Sequence, residues 1–210
     1  MLANAVTLSR LFFLALCVYL LHLPDFTARL AAFVLIIFTI FIDAIDGMIA
    51  RRRGSVSALG AVLDIAIDRV VENVFWITFV NLELVPLWVA LVVVTRGILT
   101  DAVRGFAMGL GLQPFEMMKT NWGRWLVSQR FMRGLYGFTK AVTFPVLALL
   151  HALVLVWTDT PQAVYLPPLR IAAEVLVAVT IAMNLLRGLP VLIESRRFFV
   201  TEQQKKNPRN

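Results

Sequence analysis

Asp43 and Asp46 stand three residues apart, Asp64 and Asp68 four apart, and Gly47, Ala50, Arg51 and Gly60 lie between the two pairs. A helix turns about 100° per residue, so Asp43, Asp46 and Ala50 share one face, and Gly60, Asp64 and Asp68 share one face of the next helix. Carboxylates gathered in low dielectric repel one another or take up protons. The remedy that keeps them ionised is a divalent cation, and hard oxygen donors select Mg2+, Mn2+ or Ca2+ over zinc. Neither His22 nor His151 lies close enough in sequence to complete a zinc site. Gly47, Ala50 and Gly60 keep the acid-bearing faces open, and Arg51 is placed to hold a phosphate bidentately. The alternative is a salt-bridge network of the acids with Arg51, Arg52, Arg53 and Arg69 at the helix ends. It accounts for one aspartate at a time, not for four in register with three small residues.

These residues need helices to carry them, and the composition says in which solvent. The 210-residue chain is 60% hydrophobic and 16% charged, against about 45–50% apolar and about 25% charged for a soluble domain. Its solvent is the bilayer, and a large soluble domain is excluded. Crossing about 30 Å of hydrocarbon takes roughly 20 helical residues. Apolar segments run near 7–23, 29–50, 58–82, 85–110, 139–158 and 169–190, with breaks at Pro24-Asp25, Gly54-Ser55, Pro86, Pro114 and Pro161 to Pro168. The expectation is an all-α polytopic membrane protein with six transmembrane helices, one domain over 1–195 and a basic cytoplasmic tail over 196–210. Residues 114–136 interleave Phe115, Trp122, Trp125 and Phe131 with Lys119, Arg124 and Arg130 and read as an interfacial amphipathic helix anchoring the chain to lipid. The first segment reads as an uncleaved helix, since no small-residue cleavage site follows it. Cys17 within it reads as a buried, inert thiol.

The net charge of +7 is topological, not a nucleic-acid footprint. Arg51 to Arg53, the 114–136 stretch and the tail with Arg196, Arg197, Lys205, Lys206 and Arg209 concentrate the cations, whereas 24–28, 83–84 and 159–168 hold Asp25, Glu83 and Asp159 and no Lys or Arg. Cations mark cytoplasmic loops, so both termini face the cytoplasm. In the second, third and fourth spans the charged half is the cytoplasmic half, and ionisable groups at that depth, at roughly 2.5–3.5 kcal/mol each, imply a shared polar site. Trp76, Trp88 and Trp157 fall toward the outer halves and read as belt or lipid-facing residues. A cation or proton transporter is the reading from a different class; it predicts acids spread through the membrane depth, whereas all four lie in the cytoplasmic half.

The run Asp43, Asp46, Gly47, Ala50, Arg51, Gly60, Asp64, Asp68 resembles, at every fixed position, the D-x2-D-G-x2-A-R-x8-G-x3-D-x3-D signature of the CDP-alcohol phosphotransferases. The resemblance implies a six-helix inner-membrane protein with its site open to the cytoplasm. The implied reaction transfers a phosphatidyl or similar group from a CDP-linked donor such as CDP-diacylglycerol to an alcohol, releasing CMP in a single displacement. It further implies two ions, Mg2+ or Mn2+, held by Asp43, Asp46, Asp64 and Asp68, with Asp68 as the base; a cytidine-diphosphate pocket lined by Gly47, Ala50, Arg51 and Gly60; and a homodimer.

The start, Asn4-x2-Thr7-x2-Arg10, is similar to the N-x2-T-x2-R opening of phosphatidylglycerophosphate synthases and bacterial cardiolipin synthase relatives, which adds Thr7 to the donor site. Arg96 and Arg104 match their R-E-x6-R pattern with Gly97 in place of the Glu; Gly137, Lys140 and Thr143 match their G-K-x-K-T segment with Phe138 in place of its first Lys. Arg96, Arg104 and Lys140 would suit a phosphorylated acceptor, glycerol 3-phosphate first. Inositol phosphate would suit such cations as well, while serine needs fewer, and phosphatidylglycerol is the acceptor in cardiolipin synthesis.

Overall fold

The computed structural model describes the backbone of residues 2–53, 58–109 and 130–206, and the side chains of residues 9–42, 62–63, 65–109, 131–132 and 134–195. Among the described residues the regular structure is helical: α1 (Leu2–His22), α2 (Phe26–Arg53), α3 (Ala58–Asn81), α4 (Leu87–Gly109), α5 (Arg130–Trp157), a short 3-10 helix (Pro161–Tyr165) and α6 (Leu166–Lys206). Gly134–Trp157 and Pro161–Ser195 are each long and apolar enough to cross a bilayer, and Ser9–His22 and Phe26–Ile42 are shorter apolar stretches. Helices suit this composition because a backbone without water must satisfy its hydrogen bonds internally.

Two boundaries differ from the sequence expectation. Residues 130–136 form the first turns of α5, so Gly137 and Lys140 lie inside that helix and do not open it; the remainder of the expected interfacial helix, 114–129, lies outside the described residues. The last helix does not stop near residue 190: α6 runs through Pro190 to Lys206, so the first part of the expected tail is helical. Pro145 is likewise inside α5. Proline removes one ladder bond, but where water is scarce leaving the helix would strand more. At 41 residues and 1.5 Å per residue, α6 is about twice as long as the hydrocarbon is thick.

The chain forms two compact units, Met1–Ala90 with Thr139–Ala178, and Leu91–Phe138 with Val179–Asn210. In the first unit α1 packs against both α2 and α3, with Leu14, Cys17 and Leu21 buried along it and Phe13 meeting Phe38 edge-on at 6.2 Å. Asp25 caps α2, its Oδ2 accepting from the Ala28 amide at 2.8 Å, as a side-chain oxygen before a first turn should. The α3 to α4 turn puts Glu83 at φ 57°, and the Leu84 amide closes it by donating to Phe79 O at 2.9 Å. At that end His22 Nε2 lies 2.9 Å from Asn81 Oδ1, His151 Nε2 3.1 Å from Leu21 O, and Arg29 Nη1 donates to His151 O at 3.2 Å. Both histidines therefore serve helix ends.

Trp76 departs from its expected place at the lipid surface. It is fully buried, its ring edge-on to Phe144 of α5 at 5.2 Å, while Phe75 and Phe79 meet the same ring at 5.2 and 5.9 Å. Trp88 is exposed, and Trp157 packs against Tyr165 at 6.3 Å. Depth along a helix can be read from charge order; which face meets a neighbour depends on a partner distant in sequence.

Candidate active site

The C-terminal turns of α2 carry Asp43, Asp46, Gly47, Ala50 and Arg51, and the N-terminal turns of α3 carry Gly60, Asp64 and Asp68. Both halves of the motif are helical, so the intervals that put each acid pair on one face hold. Of the four carboxylates, only that of Asp68 is among the described side chains; those of Asp43, Asp46 and Asp64, with Thr7 and Arg51, lie outside them. Among the described residues no cluster of three ligating side chains occurs. The donor set, all carboxylate oxygen with no thiol or imidazole, fits a hard divalent ion.

Asp68 shows what surrounds the motif. Its Oδ1 accepts from Nη1 of Arg10 at 3.1 Å. The guanidinium is enclosed, its side chain 8% exposed, while the carboxylate is 56% exposed. A charge taken from water needs a paired partner, and α1, which touches both α2 and α3, supplies the cation from within. Sequence reasoning noted Arg10 only as part of a resembling pattern, because 58 residues separate it from Asp68.

One turn beyond Asp68, Glu72 is 3% exposed, and its Oε2 accepts from Lys140 Nζ at 3.0 Å and Arg69 Nη1 at 3.3 Å. Lys140, expected to bind an acceptor, thus lies against α3. In the sequence Glu72 counts only among the charges in the cytoplasmic half of the third span, with no role of its own, although the four-residue interval from Asp64 through Asp68 to Glu72 was its signal.

Arg96 and Arg104 belong to the second unit. Arg104 Nη1 lies 3.7 Å from Asp101 Oδ1, one turn back on α4. Arg96 is 6% exposed and crosses Gly188 of α6 so closely that a Cβ there would meet its Nε, with Cγ at 2.7 Å and Cδ at 2.9 Å. Among the described residues Arg96 is also the one charged side chain lining a cavity of about 350 Å³ between α4 and α6, otherwise walled by Leu91, Leu99, Leu185 and Leu189 among others. In the same unit the buried Asn184 Nδ2 donates to Tyr136 Oη at 2.6 Å, and Arg187 lies over that ring at 5.3 Å. Because the clash at Gly188 involves the enclosed stem of Arg96, Gly188→Ala is expected to destabilise the protein by about 1–3 kcal/mol, as overpacking does. Melting in detergent checks this, and adding Arg96→Ala should recover most of the loss.

Comparison with known proteins bears on this geometry. The family model described as CDP-alcohol phosphatidyltransferase matches residues 1–186. An archaetidylinositol phosphate synthase of Aeropyrum pernix is 30% identical over 88 residues, a stretch covering 42% of this chain and 45% of that protein. The match thus spans less than half of the curated relative's length.

Proposed function

The chain belongs to the CDP-alcohol phosphatidyltransferase family, a family of divalent-metal-dependent transferases of substituted phosphate groups, and from that premise we propose that it transfers the phosphatidyl group of CDP-diacylglycerol to the hydroxyl of a phosphorylated alcohol. The observation that carries the reading is the complete eight-residue motif on two consecutive helices, the C-terminal turns of α2 and the N-terminal turns of α3, each acid pair at a helical interval, with Asp68 against Arg10. Asp43, Asp46, Asp64 and Asp68 would hold two ions, Mg2+ or Mn2+, which when bound supply charge neutralisation to the donor pyrophosphate. Asp68 takes the acceptor proton as the hydroxyl oxygen bonds to the phosphatidyl phosphorus; the bond from that phosphorus to the CMP oxygen breaks, and CMP leaves. Gly47, Ala50, Arg51, Gly60 and Thr7 are the proposed donor contacts. Arg10 keeps one Asp68 oxygen fixed, so Arg10→Met is expected to lower kcat about tenfold with little change in donor KM, read from initial rates at saturating acceptor.

The membrane placement belongs to the same reading: six spans in one domain over 1–195, both termini and the site toward the cytoplasm of the inner membrane, 114–136 at the interface, and a homodimer. It is supported by the cation-rich and cation-free alternation of the connections. A cysteine-accessibility scan of residues 24–28, 54–57 and 196–210 tests it.

For the acceptor, the relative's printed activity and the departures at Gly97 and Phe138 favour inositol phosphate, while the Asn4, Thr7, Arg10 start favours glycerol 3-phosphate. Both are phosphorylated, as Lys140 beside Arg69 suits. Product identification by mass spectrometry, with purified protein, CDP-diacylglycerol and a panel of inositol 1-phosphate, glycerol 3-phosphate, serine and phosphatidylglycerol, is expected to give a phosphorylated lipid product from the first or second. Products only from serine or phosphatidylglycerol would overturn the acceptor reading. The acceptor roles of Arg96 and Arg104 are tested in the same panel by Arg96→Gln and Arg104→Gln, which should raise acceptor KM.

A further inference from the structure

Glu72 gathers two cations, Lys140 and Arg69, beside a helix joint that aromatic rings already pack. Directly beyond the Glu72 to Lys140 contact, Phe75, Trp76 and Phe79 of α3 already enclose Phe144 of α5 at 5.2 to 5.9 Å, and Phe144 is one turn from Lys140 as Trp76 is one turn from Glu72. A buried ion pair adds little over an apolar pair of the same shape, and ionisable groups within a span are costly. Three charged side chains beside an aromatic joint therefore mark use. Their position defines it. Four residues at 1.5 Å rise put Glu72 about 6 Å from Asp68 along α3, roughly the separation between the reacting hydroxyl and the phosphate of a small phosphate ester. A lysine on its four-carbon stem is a mobile point charge; a carboxylate on a packed helix fixes where that charge stands.

We propose that Glu72 is a positioning residue for the acceptor: by drawing Lys140 of α5 and Arg69 of α3 onto one carboxylate oxygen, one turn from Asp68, it sets the cationic contact for the phosphate of the incoming alcohol. The inference rests on Asp68 being the base of the transfer. It makes Glu72 selective in effect, acting on acceptor binding through Lys140 and leaving the donor untouched.

The test combines binding and kinetics on the purified full chain. In Glu72→Gln the dissociation constant for inositol 1-phosphate or glycerol 3-phosphate, by calorimetry, and the acceptor KM are expected to rise about tenfold or more, with donor KM within about twofold. Lys140→Gln should do the same, and the double variant should be no worse than about twofold beyond the poorer single, as members of one contact behave. If Glu72→Gln does not fold, Glu72→Met with Lys140→Met keeps the helix joint apolar and should melt near the wild type while still losing acceptor affinity. Equal changes in donor and acceptor KM, or wild-type acceptor affinity in the neutral variants, would overturn the proposal. Wild-type protein that binds the phosphate esters but never releases CMP would instead overturn the transfer reading, and the binding comparison would still decide the role of Glu72.

Discussion

Asp68→Asn is expected to lower CMP release by about 10²–10⁴-fold, the range a positioned general base contributes. The change keeps the size of the side chain and an oxygen for Arg10 Nη1, which lies 3.1 Å from Oδ1, so folding should survive and the loss should fall on kcat. Removing Arg10 disturbs only the orientation of that carboxylate and should cost less. The ratio of the two losses separates a base from a salt-bridge partner: were Asp68 present only to neutralise Arg10, Arg10→Met with Asp68→Asn would restore what either change removes. The expected double variant is as inactive as Asp68→Asn. Rates of CMP release by the three proteins, with melting temperatures beside them, decide it.

Stripping divalent ions should have a comparably large effect. With EDTA the activity is expected to fall to background, a loss of about 10³-fold or more given that a bound divalent ion contributes several kcal/mol to charge development on phosphoryl oxygens. Mg2+ or Mn2+ should restore it, and Na+ or K+ should not. Asp64→Asn should shift the Mg2+ requirement upward, because it removes one hard oxygen donor from the set. Full activity in EDTA would leave four carboxylates without a reason to share two helix faces.

What the sequence displayed and what it hid follow the range of the interactions. The motif was legible because its parts lie within 26 residues, 43 to 68, and helical periodicity converts such spacing into faces. The all-helical architecture was legible from a composition that cannot coat a water-facing surface. The role of Arg10 was not, since its partner lies 58 residues away, nor was the burial of Trp76, fixed by Phe144 on another helix. Lys140 illustrates the limit most clearly. Its type announced a cation for an anionic ligand, while the carboxylate it meets on α3, Glu72, is 68 residues distant. The end of α6 was hidden too: the apolar segment ends near 190, whereas the helix continues through Pro190 to Lys206, since one lost ladder bond strands less than a helix end does.

The proposed transfer chemistry has one rival from a different class, in which acids within a helical bundle conduct ions. Purified protein in liposomes with CDP-diacylglycerol, Mg2+ or Mn2+ and a phosphorylated alcohol should release one CMP for each lipid product formed, with no ion flux across the bilayer. A divalent-cation or proton flux abolished by Asp68→Asn, without CMP release for any acceptor, would contradict the transfer chemistry.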